Sequence, residues 1–276
     1  MTSLPARPCR ISAQALDRIA GDLGDLDAQV LGFLGETRLA TGTQLVRRFW
    51  ITGNGDRDRE ARNGRRALKR LSDWRVIDPL PGRARGGTRG GSDTLIYSVG
   101  AAGSRLLARR GSVRRLGTPG ARHIAHTLTI TELVLRLHEA DAAGTLECLA
   151  VQPEPTCWQP FLGAFGARLI LKPDLVIRVA APGSDYEHRW ALEIDMATES
   201  PSTIRSKALR YLAHYHSGSE QAKHRVYPRV LWVVPNEQRA EQIRQVVRRL
   251  PSDAERLFTI CRFENAVALL TSEARS

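Results

Sequence analysis

Apolar residues recur at helical spacing three times near the start of the chain. Leu26, Val30, Leu31 and Leu34 predict a helix over residues 25–34, and Leu45, Val46 and Phe49 predict a shorter one over 43–49, with the named residues inward. A third helix is expected over about 57–74, with Ala61, Gly64, Leu68 and Leu71 on one face and Arg62, Arg65, Arg66, Lys69 and Arg70 on the other. Val76-Ile77 and Leu95-Ile96-Tyr97-Ser98-Val99 read as strands on either side of a loop, Pro81 to Gly91, that is rich in glycine and arginine.

After these strands a short helix carries Leu106 and Leu107, and residues 111–122, basic and without periodicity, read as a linker. An amphipathic helix over 124–138 follows, with Leu128, Ile130, Leu133, Val134 and Leu137 on its apolar side. Strands are expected at 146–151, 169–179, 190–196, 230–234 and 258–262, and helices at 203–216 and 237–249. Three helices and a hairpin with a basic tip describe a winged helix-turn-helix domain over 22–110. The alternation of strands and helices predicts an α/β domain over 123–270, a mixed sheet flanked by helices.

Charge adds a partner to this picture. The net charge of +12 is concentrated between Arg47 and Arg115, where 18 Lys or Arg stand against 6 Asp or Glu, leaving 23 of each sign elsewhere. A localised basic field fits a polyanion, most economically nucleic acid, because neutralising phosphates releases condensed counterions, and with a winged helix the expected partner is double-stranded DNA. In a winged helix the third helix enters the major groove and the wing meets the backbone or minor groove. The expected contacts are Arg62, Arg65, Arg66 and Lys69 on the helix and Arg83, Arg85 and Arg89 on the wing, most of them to phosphate.

Composition excludes other classes. Hydrophobic residues make up 42% and charged residues 25%, as in an ordinary globular chain. No stretch is apolar for long enough to span a bilayer and the N-terminus lacks a signal core, so a cytoplasmic protein is expected. Cys9, Cys148, Cys157 and Cys261 show no CxxC spacing and read as reduced thiols. The chain lacks a Walker A loop, a dinucleotide fingerprint and a Gly-x-Ser-x-Gly elbow. No heptad stripe fixes an oligomeric state, and a dimer stays open.

The candidate chemistry lies in Pro173-Asp174 and Glu193-Ile194-Asp195. A β-branched run from Leu175 to Val179, the turn cluster Pro182-Gly183-Ser184-Asp185 and a run from Trp190 predict an antiparallel hairpin. With the turn centred between Gly183 and Ser184, Asp174 comes opposite Glu193, at a Cβ separation of roughly 4.5 to 5.5 Å. Asp195, two residues on, is expected on the same face. Asp174, Glu193 and Asp195 together would hold a divalent metal, Mg²⁺ or Mn²⁺.

The winged helix, Ser98-Val99-Gly100-Ala101-Ala102-Gly103, His126, Pro173-Asp174, the run from Glu193 through Thr198-Glu199-Ser200, and Lys207 with Tyr211 resemble the replication-relaxation family. That resemblance implies a DNA-binding protein of plasmids and other mobile elements, with replication or conjugation proteins as partners. It also implies a C-terminal domain similar to the PD-(D/E)xK nucleases. In that pattern Asp174 and Glu193 match the two acids, the Ile194 carbonyl is a further ligand, and Asp195 stands where a lysine is expected. The superfamily lets this lysine migrate to the next helix, where Lys207, Tyr211 and His214 are spaced along one face behind a Ser200 cap and Pro201. Asp174, Glu193, Asp195 and Lys207 are thus the expected catalytic set. Two functions remain open: a metal-dependent endonuclease or nickase, and a catalytically silent DNA-binding accessory factor or transcriptional regulator.

Overall fold

Ser12 accepts a hydrogen bond from the Ala15 amide and opens α1 (Ala13–Asp22), a helix the apolar pattern leaves unpredicted because Leu16 is its one buried residue. The computed structural model describes residues 11–53, 55–84, 95–111 and 121–276 and divides into two units between Ile124 and Ala125. In the first unit, α2 (Asp25–Thr37) buries Val30, Leu31 and Leu34 as expected. Leu26, expected inward, is 37% exposed. Its neighbour Asp27 is buried instead, held by the Gly24 amide and by the Arg70 guanidinium at 2.6 and 2.7 Å.

After β1 (Ala40–Thr41), α3 (Gly42–Phe49) starts on a capping box between Thr41 and Gln44. α4 (Arg57–Asp73) buries Gly64, Ala67, Leu68 and Leu71. A Cβ on Gly64 would lie 2.9 Å from Val46 and 3.1 Å from Trp50, so the missing side chain is what lets α4 approach α3. β2 (Ile77–Ala84) and β3 (Leu95–Val99) pair antiparallel, with β1 on the other side of β3. α5 (Ala101–Arg109) follows at once. Gly100 and Gly103 are required here, because added Cβ atoms would stand 2.3 and 2.1 Å from the Arg75 and Val76 carbonyl oxygens. Arg85 and Arg89 lie outside the described residues, as do the Arg83 side chain and most of the expected linker.

The long helix α6 (Ala121–Ala142) runs into the second unit, where β4 (Glu147–Pro153), β5 (Gln159–Leu162), β6 (Arg168–Leu171), β7 (Leu175–Ala180) and β8 (Glu187–Ile194) follow. Then come α7 (Pro201–His216), α8 (Ser219–His224), β9 (Arg229–Val234), α9 (Glu237–Val247), α10 (Asp253–Leu257), β10 (Phe258–Arg262) and α11 (Ala266–Ala274). The expected α/β architecture is present: a five-stranded mixed sheet in the order β10-β9-β8-β7-β4, parallel across β10, β9 and β8 and antiparallel across β8, β7 and β4. Val176, Ala191, Val230, Trp232 and Val234 pack with Ile204, Ala208 and Leu212 of α7 and Ala240 and Ile243 of α9.

One expected strand divides in two. The run 169–179 is interrupted at Lys172-Pro173-Asp174, where proline has no amide hydrogen for a ladder. Its first part, β6, pairs with the unpredicted β5 in a separate hairpin, while its second part, β7, joins the main sheet.

Candidate functional site

The β7–β8 hairpin keeps the expected register, from Leu175 opposite Leu192 to Ala180 opposite Glu187. Asp174 and Glu193 lie one step past the last paired position, and there the Asp174 amide donates to the Leu192 carbonyl at 3.1 Å. Both side chains are buried. The strand thus delivers two carboxylates to its end, and neighbouring elements supply a donor to each of their oxygens. Asp174 Oδ2 accepts from the Ile194 amide at 2.7 Å, and Oδ1 is 3.1 Å from His126 Nε2 on α6. Glu193 Oε1 accepts from the Tyr211 hydroxyl at 2.6 Å and Oε2 from Lys207 Nζ at 3.0 Å.

Lys207 and Tyr211 reach Glu193 because α7 begins where the sequence predicts. Ser200 accepts from the Thr203 amide and Pro201 occupies the first turn. One helical turn then separates Lys207 from Tyr211 on the same side. Lys207 also lies 2.9 Å from Glu199 Oε1, so its ammonium bridges two carboxylates. His214, the third residue of that face, does not join them; it is bonded to the Tyr227 hydroxyl at 3.0 Å and packs edge-on to Phe161. Tyr215 of the same helix is 39% exposed.

The electrostatics follow from this packing. Burial, reinforced by the Asp174 charge, pushes the Glu193 carboxyl up to about 7, although Lys207 and Tyr211 pull the other way. Burial opposes the Lys207 ammonium, but Glu193, Asp174 and Glu199 together outweigh it and hold its pKa above the usual lysine range. His126 is likewise opposed by burial and raised on balance by its bond to Asp174 and by the Glu154 charge. The pair Asp174 and Glu193 is therefore met by the Lys207 ammonium from α7 and the His126 ring from α6.

Asp195 has a partner of its own. β8 ends at Ile194, the Asp195 amide still donates to the Val233 carbonyl at 2.9 Å, and the chain turns at Ala197, whose φ is 58°. The Asp195 carboxylate forms a buried ion pair with Arg239 of α9, which bonds it through Nε and, at 3.1 Å, through Nη2. The same Nη2 donates to the Glu199 carbonyl at 2.7 Å. Arg239 thereby fixes the segment whose Glu199 side chain grips Lys207. Sequence reasoning missed Arg239, and the one available signal is that a carboxylate as deep as Asp195 demands a cation from somewhere. Glu132 of α6 pairs with Arg136 one turn along the helix at 3.0 Å.

Among the described residues no group of three or more His, Cys, Asp or Glu side chains is placed to hold a metal ion. Of the three carboxylates, Asp174 and Glu193 share one cluster of donors while Asp195 is held by Arg239. Two carboxylates suit Mg²⁺, which commonly uses one or two and completes its shell with water and substrate phosphate.

The first unit presents a second surface. Arg62, Arg65, Arg66 and Lys69 line one groove of about 520 Å³ with Ser72, Asp73, Pro79, Leu95 and Tyr97, between α4 and the β2–β3 pair. The four helix residues expected to meet DNA therefore share a concave face. Lys69 is also paired with Asp73 at 2.7 Å, both largely exposed, an interaction that a phosphate can displace because such surface pairs contribute roughly 0–1 kcal/mol.

A family model described as replication-relaxation matches residues 31–230. The chain belongs to the replication-relaxation family. The match takes in the basic groove and every residue of the Asp174 and Glu193 cluster, and stops short of Arg239. Membership in the replication-relaxation family suggests a role in plasmid or mobile-element replication. No curated protein matches the chain. Among the described residues of this replication-relaxation protein, no helix is long and apolar enough to cross a membrane, and Cys148, Cys157 and Cys261 are free thiols.

Proposed function

We propose that this chain is a DNA-binding protein of plasmids or other mobile elements, with a winged helix-turn-helix unit that docks on duplex DNA and a PD-(D/E)xK nuclease-like unit that cuts or nicks it. The observation that carries the reading is Lys207: an ammonium from the helix after the hairpin is seated on Glu193, within the field of Asp174, although Asp195 occupies the usual lysine position. Asp174 and Glu193 would hold Mg²⁺ or Mn²⁺. When bound, such an ion polarises a phosphate oxygen and activates water.

The chain's own groups have separable tasks in this scheme. The Ile194 amide and His126 fix the Asp174 carboxylate, and Tyr211 fixes that of Glu193. Lys207 stays protonated, so it serves as a positive charge beside the phosphate as negative charge develops there, and not as a base. Arg62, Arg65, Arg66 and Lys69 hold the duplex by its phosphates, with Arg83, Arg85 and Arg89 as wing contacts.

One observation favours a second reading, a catalytically silent accessory factor acting in plasmid replication or transfer. Every oxygen of Asp174 and Glu193 already has a protein donor, as a purely structural polar cluster would. Nicking of supercoiled plasmid with Mg²⁺ or Mn²⁺ separates the two. Cleavage by the native chain that is lost in Asp174→Ala, Glu193→Ala and Lys207→Met is expected. Cleavage surviving both carboxylate substitutions would sink the assigned site, and salt-sensitive DNA binding without any cleavage would establish the accessory reading.

A further inference from the structure

Phe165, at the tip between β5 and β6, is fully exposed and sits at φ 57°, ψ 25°. That left-handed backbone costs a non-glycine residue roughly 1–2 kcal/mol and is best tolerated by Gly or Asn, yet the sequence places a large apolar ring there. Persistence of such strain at an exposed aromatic points to something the ring does outside the chain.

The rest of the hairpin is built to hold that ring out. Phe161 and Leu171 face inward and are buried with Tyr211 in the core, and Phe161 packs on the His214 ring at 4.8 Å between centroids. The opposite face carries Pro160 paired with Ile170 and Leu162 paired with Arg168, all exposed. Among the described residues nothing covers this apolar face, which continues into the Phe165 tip. Its charge is one-sided: from Pro155 to Pro173 there is no Asp or Glu, while Arg168 and Lys172 are exposed cations. The base of the hairpin is tied to the candidate site, since the Cys157 thiol donates to the Pro173 carbonyl at 3.0 Å and the Glu154 amide donates to the Asp174 carbonyl at 2.9 Å.

We propose that the β5–β6 hairpin is a DNA wedge, in which Phe165 stacks on an unpaired or extruded base while Arg168 and Lys172 meet the flanking phosphates, so that an unstacked strand is presented beside Asp174 and Glu193. Aromatic rings with interleaved cations recognise single-stranded or distorted DNA in this way, because every base offers a π-face and every linkage a charge. The inference rests on the DNA-directed reading given above and narrows its substrate to DNA that is locally unpaired.

The test compares binding of the full chain, by fluorescence anisotropy, to two labelled DNAs that are identical except for a short mismatch bubble containing 2-aminopurine. Phe165→Asn suits the left-handed backbone and should leave the urea midpoint unchanged or slightly higher. The native chain is expected to prefer the bubble by roughly 5- to 100-fold, with quenching of 2-aminopurine by stacking, and the variant to lose both while keeping its affinity for the matched duplex. Equal binding of the two DNAs, or a preference that survives Phe165→Asn, overturns the wedge and leaves the duplex-binding reading intact. Absence of binding to either DNA overturns that reading itself. A native dimer that dissociates on Phe165→Asn, without any bubble preference, assigns the ring to self-association and overturns the wedge.

Discussion

Replacing Arg239 by methionine removes the guanidinium bonded to Asp195 and leaves a carboxylate buried without this cation. Arg239 and Asp195 side chains are 7% and 1% exposed, so water cannot substitute for the lost donors. Two bonds to Asp195, one to the Glu199 carbonyl and one to Gln242 disappear together. Breaking one partner of such a buried pair typically costs about 3–5 kcal/mol, more than the pair itself contributes, because the remaining charge stays desolvated. With a urea slope of about 2 kcal/mol per molar, the midpoint should fall by roughly 1.5–2.5 M. Tryptophan fluorescence is a suitable probe, since Trp190 and Trp232 are both fully buried in the sheet that Asp195 terminates. The double substitution Asp195→Leu with Arg239→Met should recover stability to within about 1 kcal/mol of the native chain, since no lone charge is then buried. A loss below about 1 kcal/mol for Arg239→Met, or a double variant no more stable than the single, would refute the claim that Asp195 depends on this cation.

Further outcomes follow from other parts of the structure. His214 is buried and its pKa is lowered by that burial, so the unfolded chain takes up a proton first on acidification. Its contribution to stability is complete above about pH 6.5 and lost as pH falls below it, and His214→Gln should flatten that acid limb in urea titrations at about pH 7.5 and 5.5. His126, raised on balance, has the opposite sign: its contribution is complete below about pH 6.5 and lost as pH rises through its folded value. Gly103→Ala forces a Cβ against the Val76 carbonyl and should destabilise the first unit by roughly 1–3 kcal/mol, read as faster hydrogen exchange in α2 and α5 with β8 and β9 unchanged. Ser200→Ala removes the cap of the helix that carries Lys207 and Tyr211 and should lower stability by about 1 kcal/mol in urea unfolding; no measurable change would show that the cap is replaced by water.

Much of this protein is fixed by local rules that a linear sequence displays. The register of the β7–β8 hairpin follows from side-chain alternation and one turn, and it holds at all six paired positions. The start of α7 at Ser200-Pro201 follows from capping chemistry, which involves residues three apart. The helical arginines that line the first unit's groove are likewise set by a period of 3.6 residues. Less legible were where a strand stops and which side chain from another element meets a buried group. The Asp195 carboxylate is bound by a guanidinium far along the chain, a partner that no local rule announces. The β5 strand is hidden because its partner β6 reads continuously with β7 until Pro173 interrupts the ladder. Periodicity reports the face a residue presents to its own element; the charge that neutralises a buried acid comes from another element, and only the tertiary structure decides which one.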